Sequence, residues 1–582
     1  MRGNGQRGIA GGGTPVAARW GGFHSAAYGK TGPIPLCIVR FFPTHGATNN
    51  DAMTTPKVLV SDKLSTDGLE VIKRAGFAVD FLPEITQDEI AERIREYDAW
   101  VIRSRSRATA EIIERAGKLR VIGRAGVGVD NVDTEAATRR GIIVMNTPGG
   151  NTISTAEHTI SMLLSLARKI PQAHCSMTDG KWDKKSFMGT EIYGKTLGVF
   201  GLGRIGQEVV RRMKSFDMTI LGYDPFLSTE RMRQLGVEAS TVDEICERAD
   251  FLTFHTPLSP ETKDLINEER LAKMKKTARI VNCARGGIVN EEALLKALSE
   301  KRIAGAALDV FSSEPLPPEH PFRQLDNIVL TPHIAASTVE AQENVAIQVA
   351  DQVCDVLRGG PVRNALNVPP VDAELLPVIQ PFMALAERLG SFISQYRAQR
   401  PVRLTVRYSG SVLDYPLQPI TTAVLIGLLR HTADAPVNFV NAHQILRDRG
   451  VELIEMKHSE LHQYQNLITV ELKNEDGTEN RISGTLYTRN HPRIVILNNK
   501  HFDTVPEGHL VALENDDIPG IIGQVGTVFG KHNVNIGQMT WGRVPSEGTA
   551  MTIINLDTPV NDPLLKELRS LKHIKSVEVI KL

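Results

Sequence analysis

Cysteine is scarce in this chain of 582 residues. The five cysteines are scattered, and they form neither a CxxC pair nor the spacing of a zinc site; they are Cys37, Cys175, Cys246, Cys283 and Cys354. This pattern argues against a disulfide framework or a bound metal. It predicts free thiols and a cytoplasmic location, because the cytosol is reducing.

Net charge and long apolar runs are also missing. Lys and Arg together number 67, as do Asp and Glu, so nothing steers the whole molecule toward nucleic acid or an anionic membrane. No uninterrupted apolar stretch approaches the roughly 20 residues that a membrane-spanning helix needs. We therefore expect neither nucleic acid nor a membrane as a partner.

Acidic residues are absent before Asp51, and the first 52 residues are rich in Gly, Arg and Pro. We expect this leader to be disordered. Composition favours an upstream extension of a reading frame whose working start is Met53. The alternative is a transit peptide that directs the chain to a plastid or another organelle.

The pattern from Lys57 to about Met145 alternates short runs of Val, Ile and Leu with amphipathic stretches. Such alternation predicts a parallel sheet with helical crossovers. A second stretch of this kind ends near Leu330, and a helix from about Val339 to Leu357 is expected to pack back on the first. We therefore predict a discontinuous α/β domain, residues 53–152 with 335–360, into which a second α/β domain, residues 153–334, is inserted.

A Gly- and Pro-rich break at 359–370 predicts a linker. The third unit, 361–506, combines helices with strands and contains a hairpin signal at Asp476-Gly477. The last unit, 507–582, has the order strand, helix, strand, strand, helix, strand. This order predicts a small ferredoxin-like βαββαβ domain.

A glycine-spaced loop, Gly201-Leu-Gly-Arg-Ile-Gly206, follows an apolar run in the second domain. In a dinucleotide site the first glycine permits the tight turn, Gly203 lets the backbone approach a pyrophosphate, and Gly206 lets the helix pack on the strand. Asp224 ends the next strand, where its carboxylate would accept hydrogen bonds from a ribose and repel a 2′-phosphate. NAD is therefore the predicted cofactor, rather than NADP.

Three charged or titratable side chains follow successive strands of the same sheet: Arg285, Glu314 and His333. Hydride transfer from an alcohol needs a base near neutrality, which suits histidine, and a cation that grips the substrate carboxylate, which suits arginine. Glu314 is placed to pair with the imidazole. We predict these three residues to be catalytic.

These residues lie in runs that resemble the D-2-hydroxyacid dehydrogenase family, and in particular its long forms that act on phosphoglycerate. The matching runs begin at Arg124 (RAGVGVDNVD), Gly201 (GLGRIG), His255 (HTP), Asn282 (NCARGG) and Thr331 (TPHIAAS). The likeness extends from residue 53 to 582. It implies two doubly wound, Rossmann-like parallel-sheet domains, an α+β intervening domain and a terminal ACT domain.

The resemblance also implies roles for single residues. Arg285 would bind the substrate carboxylate, His333 would be the acid/base, and Glu314 would pair with it. The backbone of Arg204 and Ile205 would lie on the pyrophosphate. The residues implied to line the nicotinamide site are Thr256, Cys283 and Asp309, the last contacting the nicotinamide amide.

Arginines after the third strand hold the substrate phosphate in phosphoglycerate-specific members. Here Arg103 and Arg105 supply them, and they would share one face if the segment stays extended. The alternative is a basic surface turn. Lys184 and Lys185 are weaker candidates to add charge from a neighbouring subunit.

In similar ACT domains, two corners meet across a dimer interface and bind L-serine. Asn515, Asp517 and Asn535 match the ligand positions. The resemblance thus implies a possible serine effector and a homo-oligomer, either dimer or tetramer. The alternative for Asp517 is a helix cap.

Taken together, the implied function is NAD-dependent oxidation of 3-phospho-D-glycerate to 3-phosphooxypyruvate, which begins L-serine synthesis. One alternative is another D-2-hydroxyacid dehydrogenase, such as a hydroxypyruvate or glyoxylate reductase. Another is an NAD-sensing binding protein similar to corepressors of this fold. The sequence leaves side activity on 2-oxoglutarate and the direction of net flux open.

Overall fold

The structure is a computed structural model that describes residues 55–369, 374–433, 436–458, 464–488, 490–544 and 548–582. The predicted leader, with the proposed start at Met53, lies outside these ranges. Within them, no helix combines the length and the apolar character needed to cross a membrane.

The first sheet consists of five parallel strands in the order β2-β1-β3-β4-β5. Its strands are β1 Lys57–Val60, β2 Ala78–Phe81, β3 Ala99–Ile102, β4 Val121–Arg124 and β5 Ile143–Met145, and its helices are α1 Thr66–Arg74, α2 Gln87–Arg93 with a 3₁₀ turn at Ile94–Glu96, α3 Ala110–Arg115 and α4 Thr134–Arg139. Helices cover both faces, so central strands such as β3 are apolar and buried throughout. The predicted parallel sheet is confirmed.

The second sheet has seven parallel strands in the order β12-β11-β10-β9-β6-β7-β8. Its strands are β6 Thr196–Phe200, β7 Thr219–Tyr223, β8 Glu238–Ala239, β9 Phe251–Phe254, β10 Arg279–Asn282, β11 Gly305–Leu308 and β12 Ile328–Leu330. Its helices are α5 Thr152–Arg168, α6 Ile170–Thr178, α7 Arg204–Lys214, α8 Thr229–Gln234, α9 Val242–Arg248, α10 Glu268–Lys273 and α11 Glu291–Ser299, with a 3₁₀ turn at Pro321–Gln324. The strand order reverses between β6 and β9. In open parallel sheets, ligands bind beyond the carboxyl ends of the strands at such a point.

Helix α12, Val339–Leu357, returns the chain to the first sheet, as predicted. Its apolar face joins the core that covers one side of that sheet. A Cβ at Gly123 would lie 2.7 Å from both Val349 and Val353, so this glycine lets α12 approach the sheet closely. Two segments therefore connect the first two sheets, one leading into α5 and one into α12.

The third sheet has six strands in the order β14-β13-β15-β16-β17-β18. The elements are β13 Pro401–Gly410, β14 Glu452–His458, β15 Asn466–Asn474, β16 Glu479–Leu486, β17 Pro492–Leu497 and β18 Lys500–Thr504, with α13 Leu376–Gln395, α14 Gln418–Leu429, α15 Ala442–Asp448 and a 3₁₀ turn at Ser411–Asp414. The predicted hairpin is present as β15 and β16. The edge strand β14, which pairs in parallel with β13, was not predicted, because its charged sequence ELIEMKH lacks a clear apolar alternation.

The last sheet is antiparallel and has the order β20-β21-β19-β22. Its elements are β19 His509–Asp516, α16 Ile521–Lys531, β20 Ile536–Val544, β21 Thr549–Leu556, α17 Asp562–Ser570 and β22 Ile574–Lys581. The βαββαβ prediction is confirmed. All four sheets lie within the four predicted domain ranges, while the boundaries themselves stay a prediction.

Candidate active site

A cleft of about 350 Å³ lies at the switch point of the second sheet, between that sheet and the loops of the first. Residues of the first unit, such as Arg124, Gly128 and Asp130, line one side. The other side is lined by residues of the second unit: Arg204, Ile205, His255, Thr256, Cys283, Arg285 and His333. Six predicted site residues therefore line one cleft: Arg204, Ile205, Thr256, Cys283, Arg285 and His333.

The glycine loop has the geometry that a dinucleotide requires. Gly201 adopts a φ of +89°, and a Cβ there would lie 2.7 Å from the carbonyl oxygen of His255. A Cβ at Gly206 would lie 2.1 Å from the carbonyl oxygen of Gly201, whereas the space beside Gly203 is open. Helix α7 begins at Arg204, so its unpaired N–H groups face the cleft where a pyrophosphate would lie.

Asp224 is held at the end of β7 by two backbone N–H groups. Its Oδ2 accepts a hydrogen bond from Leu202 N at 2.8 Å, and its Oδ1 accepts one from Phe226 N at 2.9 Å. Each carboxylate oxygen keeps a further lone pair for a ribose hydroxyl. The geometry suits NAD, because an ionised carboxylate at this point repels a 2′-phosphate.

His333 and Glu314 form a close pair, with Nδ1 of the imidazole 2.7 Å from Oε2 of the carboxylate. Oε1 of Glu314 accepts a hydrogen bond from Phe311 N at 3.0 Å. Burial alone would raise the pKa of Glu314, but these hydrogen bonds outweigh it and hold that pKa below its usual value. The carboxylate is thus ionised and fixes the imidazole orientation, leaving Nε2 as the ring nitrogen that can accept a proton.

A second histidine, His255, also lines the cleft. Burial lowers the pKa of His255 to about 3, so this imidazole stays neutral at ordinary pH. His255 is therefore poorly suited to exchange a proton near neutral pH, and the acid/base role of His333 stays a prediction.

The loop that carries His333 is held by Asp309, whose carboxylate is completely buried. Thr331 Oγ1 donates to this carboxylate at 2.5 Å, and the backbone N–H groups of Ile334 and Ala335 donate at 2.9 Å. Burial opposes the charge, but the hydrogen bonds lower the pKa of Asp309 below its usual value. His333 itself has a φ of +54°, a conformation that non-glycine residues rarely adopt and that the surrounding bonds must enforce. Contact between Asp309 and the nicotinamide amide stays a prediction.

Arg285 reaches across the cleft toward the first unit. Its Nε donates to Asp130 Oδ2 at 3.0 Å, and its Nη1 donates to the carbonyl of Ala284 at 2.7 Å. A Cβ at Gly128 would lie only 1.8 Å from Nη2, so this position must be glycine for the guanidinium to lie there. Binding of a substrate carboxylate by Arg285 stays a prediction.

Arg124 is a site residue that the sequence reasoning missed, although it begins one of the matching runs. It ends the buried strand β4 and lines the cleft. Burial, with the nearby charges of Arg285 and Arg103, lowers the pKa of Arg124 to about 10. The sequence signal that could have identified Arg124 is an arginine at the end of a predicted strand that is followed by a glycine-containing run.

Three polar atoms of cleft residues are buried and have no hydrogen-bond partner within the described parts of the chain. They are Nε of Arg124, Oδ1 of Asn151 and Oγ1 of Thr256. Buried polar atoms are rarely left unpaired. Their presence at this cleft fits a polar ligand, and the open glycine loop beside them fits a dinucleotide.

Arg103 and Arg105 were expected to share one face only if their segment stays extended. The chain instead bends after β3, so this condition is not met. The carboxylate of Asp62 accepts hydrogen bonds from the backbone N–H groups of Arg103 and Ser106 and so draws the segment into a turn. The two arginine side chains diverge: Arg103 donates to the carbonyl of Lys63 at 3.3 Å and Arg105 to that of Ile85 at 2.7 Å. A role for them, or for the exposed Lys184 and Lys185, in binding phosphate stays a prediction.

Cys283 is buried in the wall of the cleft. Burial raises the pKa of its thiol, so a nucleophilic thiolate is disfavoured. Its predicted place beside the nicotinamide stays a prediction.

The three predicted effector residues do not meet within one chain. His509 and Ile536 both pair with Leu556, whereas Asn515 and Arg543 both pair with Ala550. Asn515 and the following Asp517 therefore lie at the opposite end of the sheet from Asn535, about 20 Å away at the rise of a β-strand. A site built from all three needs a second copy of the domain.

The contacts of these residues differ. Asn515 is completely buried, and Asn535 donates to the carboxylate of Asp557. Asp517 lies 3.7 Å from Nη1 of Arg543. Helix α16 starts after Gly520 without a side-chain cap, so the alternative of Asp517 as a helix cap is not observed.

Three family models match the chain. The D-isomer specific 2-hydroxyacid dehydrogenase NAD binding domain matches residues 160–335, the D-3-phosphoglycerate dehydrogenase intervening domain matches 378–498, and the ACT domain matches 509–573. D-3-phosphoglycerate dehydrogenase from Synechocystis sp. is 43% identical over 532 residues, which cover 91% of this chain and 96% of that protein. The chain belongs to the D-3-phosphoglycerate dehydrogenase family.

Other members of the D-3-phosphoglycerate dehydrogenase family also align with this chain over most of its length. The Methanocaldococcus jannaschii protein is 43% identical over 90% of this chain and 100% of its own length, and the human protein is 43% identical over 68% and 74%. Among solved structures, the TT0316 protein of Thermus thermophilus matches with a TM-score of 0.50 at 36% identity, over 53% of this chain and 99% of that one. The predicted family is confirmed, and so is an NAD-binding domain around the glycine loop.

Proposed function

We propose that this chain oxidises 3-phospho-D-glycerate to 3-phosphooxypyruvate with NAD⁺, the reaction that begins L-serine synthesis. The observation that carries the proposal is the His333–Glu314 pair, which lies in one cleft with Arg285, Arg124 and the glycine loop. Relatives named D-3-phosphoglycerate dehydrogenase that match about nine tenths of the chain support the choice of substrate.

Each catalytic residue is assigned a different part in the reaction. Arg285 binds the substrate carboxylate through two parallel N–H groups and orients the C2 carbon. Nε2 of His333 removes the proton of the C2 hydroxyl, and the ionised Glu314 stabilises the imidazolium that results. When bound, NAD⁺ supplies the acceptor for the hydrogen and electron pair that leave C2.

The phosphate of the substrate calls for additional positive charge in the first unit. Arg124 is proposed as its main ligand, because this half-buried arginine lines the cleft and its Nε has no hydrogen-bond partner among the described residues. Arg103 and Arg105 follow the neighbouring strand and are proposed to add charge at the same edge. The cofactor is proposed to lie on the glycine loop, with Asp224 on its ribose and Thr256 and Cys283 beside its nicotinamide.

The direct test is the initial rate of NADH formation with 3-phospho-D-glycerate and with D-glycerate. The proposal expects the phosphorylated substrate to have the higher kcat/KM by at least about tenfold, which corresponds to about 1.4 kcal/mol of additional transition-state binding. Equal rates, or higher rates with glyoxylate or hydroxypyruvate and NADH, would favour the alternative 2-hydroxyacid dehydrogenases. NADH binding without any turnover would favour the NAD-sensing binding protein.

We further propose an amino-acid effector, L-serine, bound between two ACT domains of a homo-oligomer. The ACT match and the placement of Asp517 and Asn535 at opposite ends of the sheet support a site shared between copies. Initial rates with and without L-serine test the ligand, and light scattering coupled to size exclusion tests the oligomer. A monomer, or rates indifferent to serine, would contradict this part of the proposal.

A cytoplasmic location stays our proposal for the compartment. The cysteines within the described ranges, Cys175, Cys246, Cys283 and Cys354, are free thiols, which suits a reducing compartment. An organelle is the alternative if residues 1–52 act as a transit peptide; a relative from Arabidopsis thaliana, 35% identical, is named chloroplastic. Sequencing the N-terminus of the native protein distinguishes the two.

A further inference from the structure

Helix α5 and the N-terminus of α12 are joined by a side-chain contact. Ser154 Oγ lies 2.8 Å from Thr338 Oγ1, and Thr338 is also the N-cap of α12, since its hydroxyl accepts a hydrogen bond from Ala341 N at 3.2 Å. These helices follow the two segments that connect the first and second sheets. The contact between Ser154 and Thr338 therefore links the two connecting segments near the loop that carries His333.

One turn further along α5, His158 faces the same loop. Its Nε2 lies 3.3 Å from Thr331 Oγ1 and 3.3 Å from Asp309 Oδ1. The imidazole is largely buried, with 18% of its side chain exposed. Because residues four apart share one helix face, Ser154 and His158 together hold both ends of residues 331–338.

Asp309 depends on this arrangement because its buried charge must be surrounded by donors. Thr331, Ile334 and Ala335 donate from the loop itself. His158 reaches the carboxylate from a different element, helix α5. When Nε2–H of His158 donates, the carboxylate of Asp309 is fixed between helix α5 and the loop. If this donor is removed, the donors described above that remain on the carboxylate all belong to the loop.

We propose that His158 is a positioning residue for the acid/base step. It acts through Asp309 and Thr331 to hold loop 331–335 against α5, so that His333 keeps its left-handed backbone conformation and meets Glu314. This role rests on the proposed function only in that the protein must oxidise some D-2-hydroxyacid.

The test compares two variants at this position. His158→Leu keeps much of the side-chain volume but removes the donor, whereas His158→Gln keeps an amide N–H at a similar reach. We expect kcat of H158L to fall at least tenfold while the KM for NAD⁺ stays within about twofold, and we expect H158Q to recover kcat to within about threefold of wild type. The matched control is Ser161→Ala on the exposed side of α5, which should leave both constants unchanged.

Three results would overturn the proposal. In the first, H158L keeps kcat within twofold of wild type. In the second, H158L and H158Q lose kcat equally. In the third, the KM for NAD⁺ and the melting temperature change in step with kcat, which indicates a general packing defect. Should H158L fail to fold, Thr331→Val removes the hydroxyl on the other side of the contact, and the same loss of kcat is expected.

The rates are measured with whichever D-2-hydroxyacid the wild-type protein oxidises. If 3-phospho-D-glycerate is not that substrate, the proposed function fails while the role of His158 is still tested. If phosphoglycerate is oxidised but H158L behaves as wild type, only the role of His158 fails.

Discussion

Arg285 and Asp130 form an ion pair across the cleft, with Nε 3.0 Å from Oδ2. The carboxylate of Asp130 is 73% exposed, so the pair contributes little stability and is easily exchanged for another carboxylate. This exchange is consistent with the proposed binding of a substrate carboxylate by Arg285. The pair also keeps the guanidinium pointing into the cleft.

Replacing Arg285 by lysine tests the geometry of this contact. Arg285→Lys keeps the charge but loses the planar pair of donors, so kcat/KM for the hydroxyacid should fall by about 10²-fold. The measurement is initial-rate kinetics at saturating NAD⁺. As a matched control, Arg302→Lys changes an arginine that pairs with Glu300 and does not line the cleft, so it should leave kcat/KM unchanged. A similar loss in both variants would contradict a specific role of Arg285.

Arg124 is expected to decide the preference for a phosphorylated substrate. Arg124→Gln should lower kcat/KM for 3-phospho-D-glycerate at least about tenfold, because one charge-assisted contact to the phosphate is lost. D-Glycerate lacks the phosphate, so its kcat/KM should change less than threefold. Arg139→Gln, at a surface arginine paired with Glu135, serves as the control. Equal losses of kcat/KM for the two substrates would show that Arg124 does not bind the phosphate.

The ionisation of Glu314 predicts a specific pH dependence. The pKa of Glu314 in the folded protein lies below its ordinary value of 4.5, so its charge stabilises the folded state above that value. This contribution is lost as the pH falls through the lower pKa of the folded protein.

The comparison variant is Glu314→Gln, which is uncharged at every pH. The free energy of unfolding of wild type should exceed that of E314Q at neutral pH. The difference should shrink as the pH falls below 4.5 and be lost once the pH has passed the lower pKa of Glu314 in the folded protein. Chemical denaturation across this range is the measurement. A difference that disappears between pH 6 and 8 would show that the pair depends on another group.

The glycine loop predicts two distinguishable effects. Gly206→Ala places a methyl group 2.1 Å from the carbonyl oxygen of Gly201, so both the melting temperature and NADH affinity should fall. Gly203→Ala meets open space in the protein and should keep the melting temperature, while the methyl group hinders a pyrophosphate and weakens NADH binding. Differential scanning fluorimetry and NADH fluorescence titration separate the two. Unchanged NADH affinity in G203A would contradict the proposed position of the pyrophosphate.

Much of the fold could be predicted because buried parallel strands read as uninterrupted apolar runs, as β3 and β10 do. The helix 339–357 was predicted with its observed bounds, because its apolar face faces a core throughout. Strand β14 could not be predicted, because an edge strand with exposed charges lacks an uninterrupted apolar run. Pairing with β13 determines its conformation, and that contact is not local in sequence.

The candidate site shows the same division. Arg285, Glu314 and His333 were predicted because each follows a strand of one sheet, and strand order brings those ends together. Whether Arg103 lies in an extended segment or in a turn was left open, since the turn depends on a hydrogen bond to Asp62, about 40 residues earlier in the chain. The separation of Asn515 from Asn535 within one chain follows from the predicted strand-helix-strand connection, because β19 and β20 run in the same direction, so the end of β19 and the start of β20 lie at opposite ends of the sheet.

The central claim is that His333 removes the hydroxyl proton of a substrate that Arg285 holds beside bound NAD⁺. The most direct test is His333→Ala, measured both for NADH affinity by fluorescence and for NADH formation at the pH optimum of wild type. We expect an NADH dissociation constant within about twofold of wild type and a kcat lower by about 10³-fold. Turnover within tenfold of wild type would contradict the central claim.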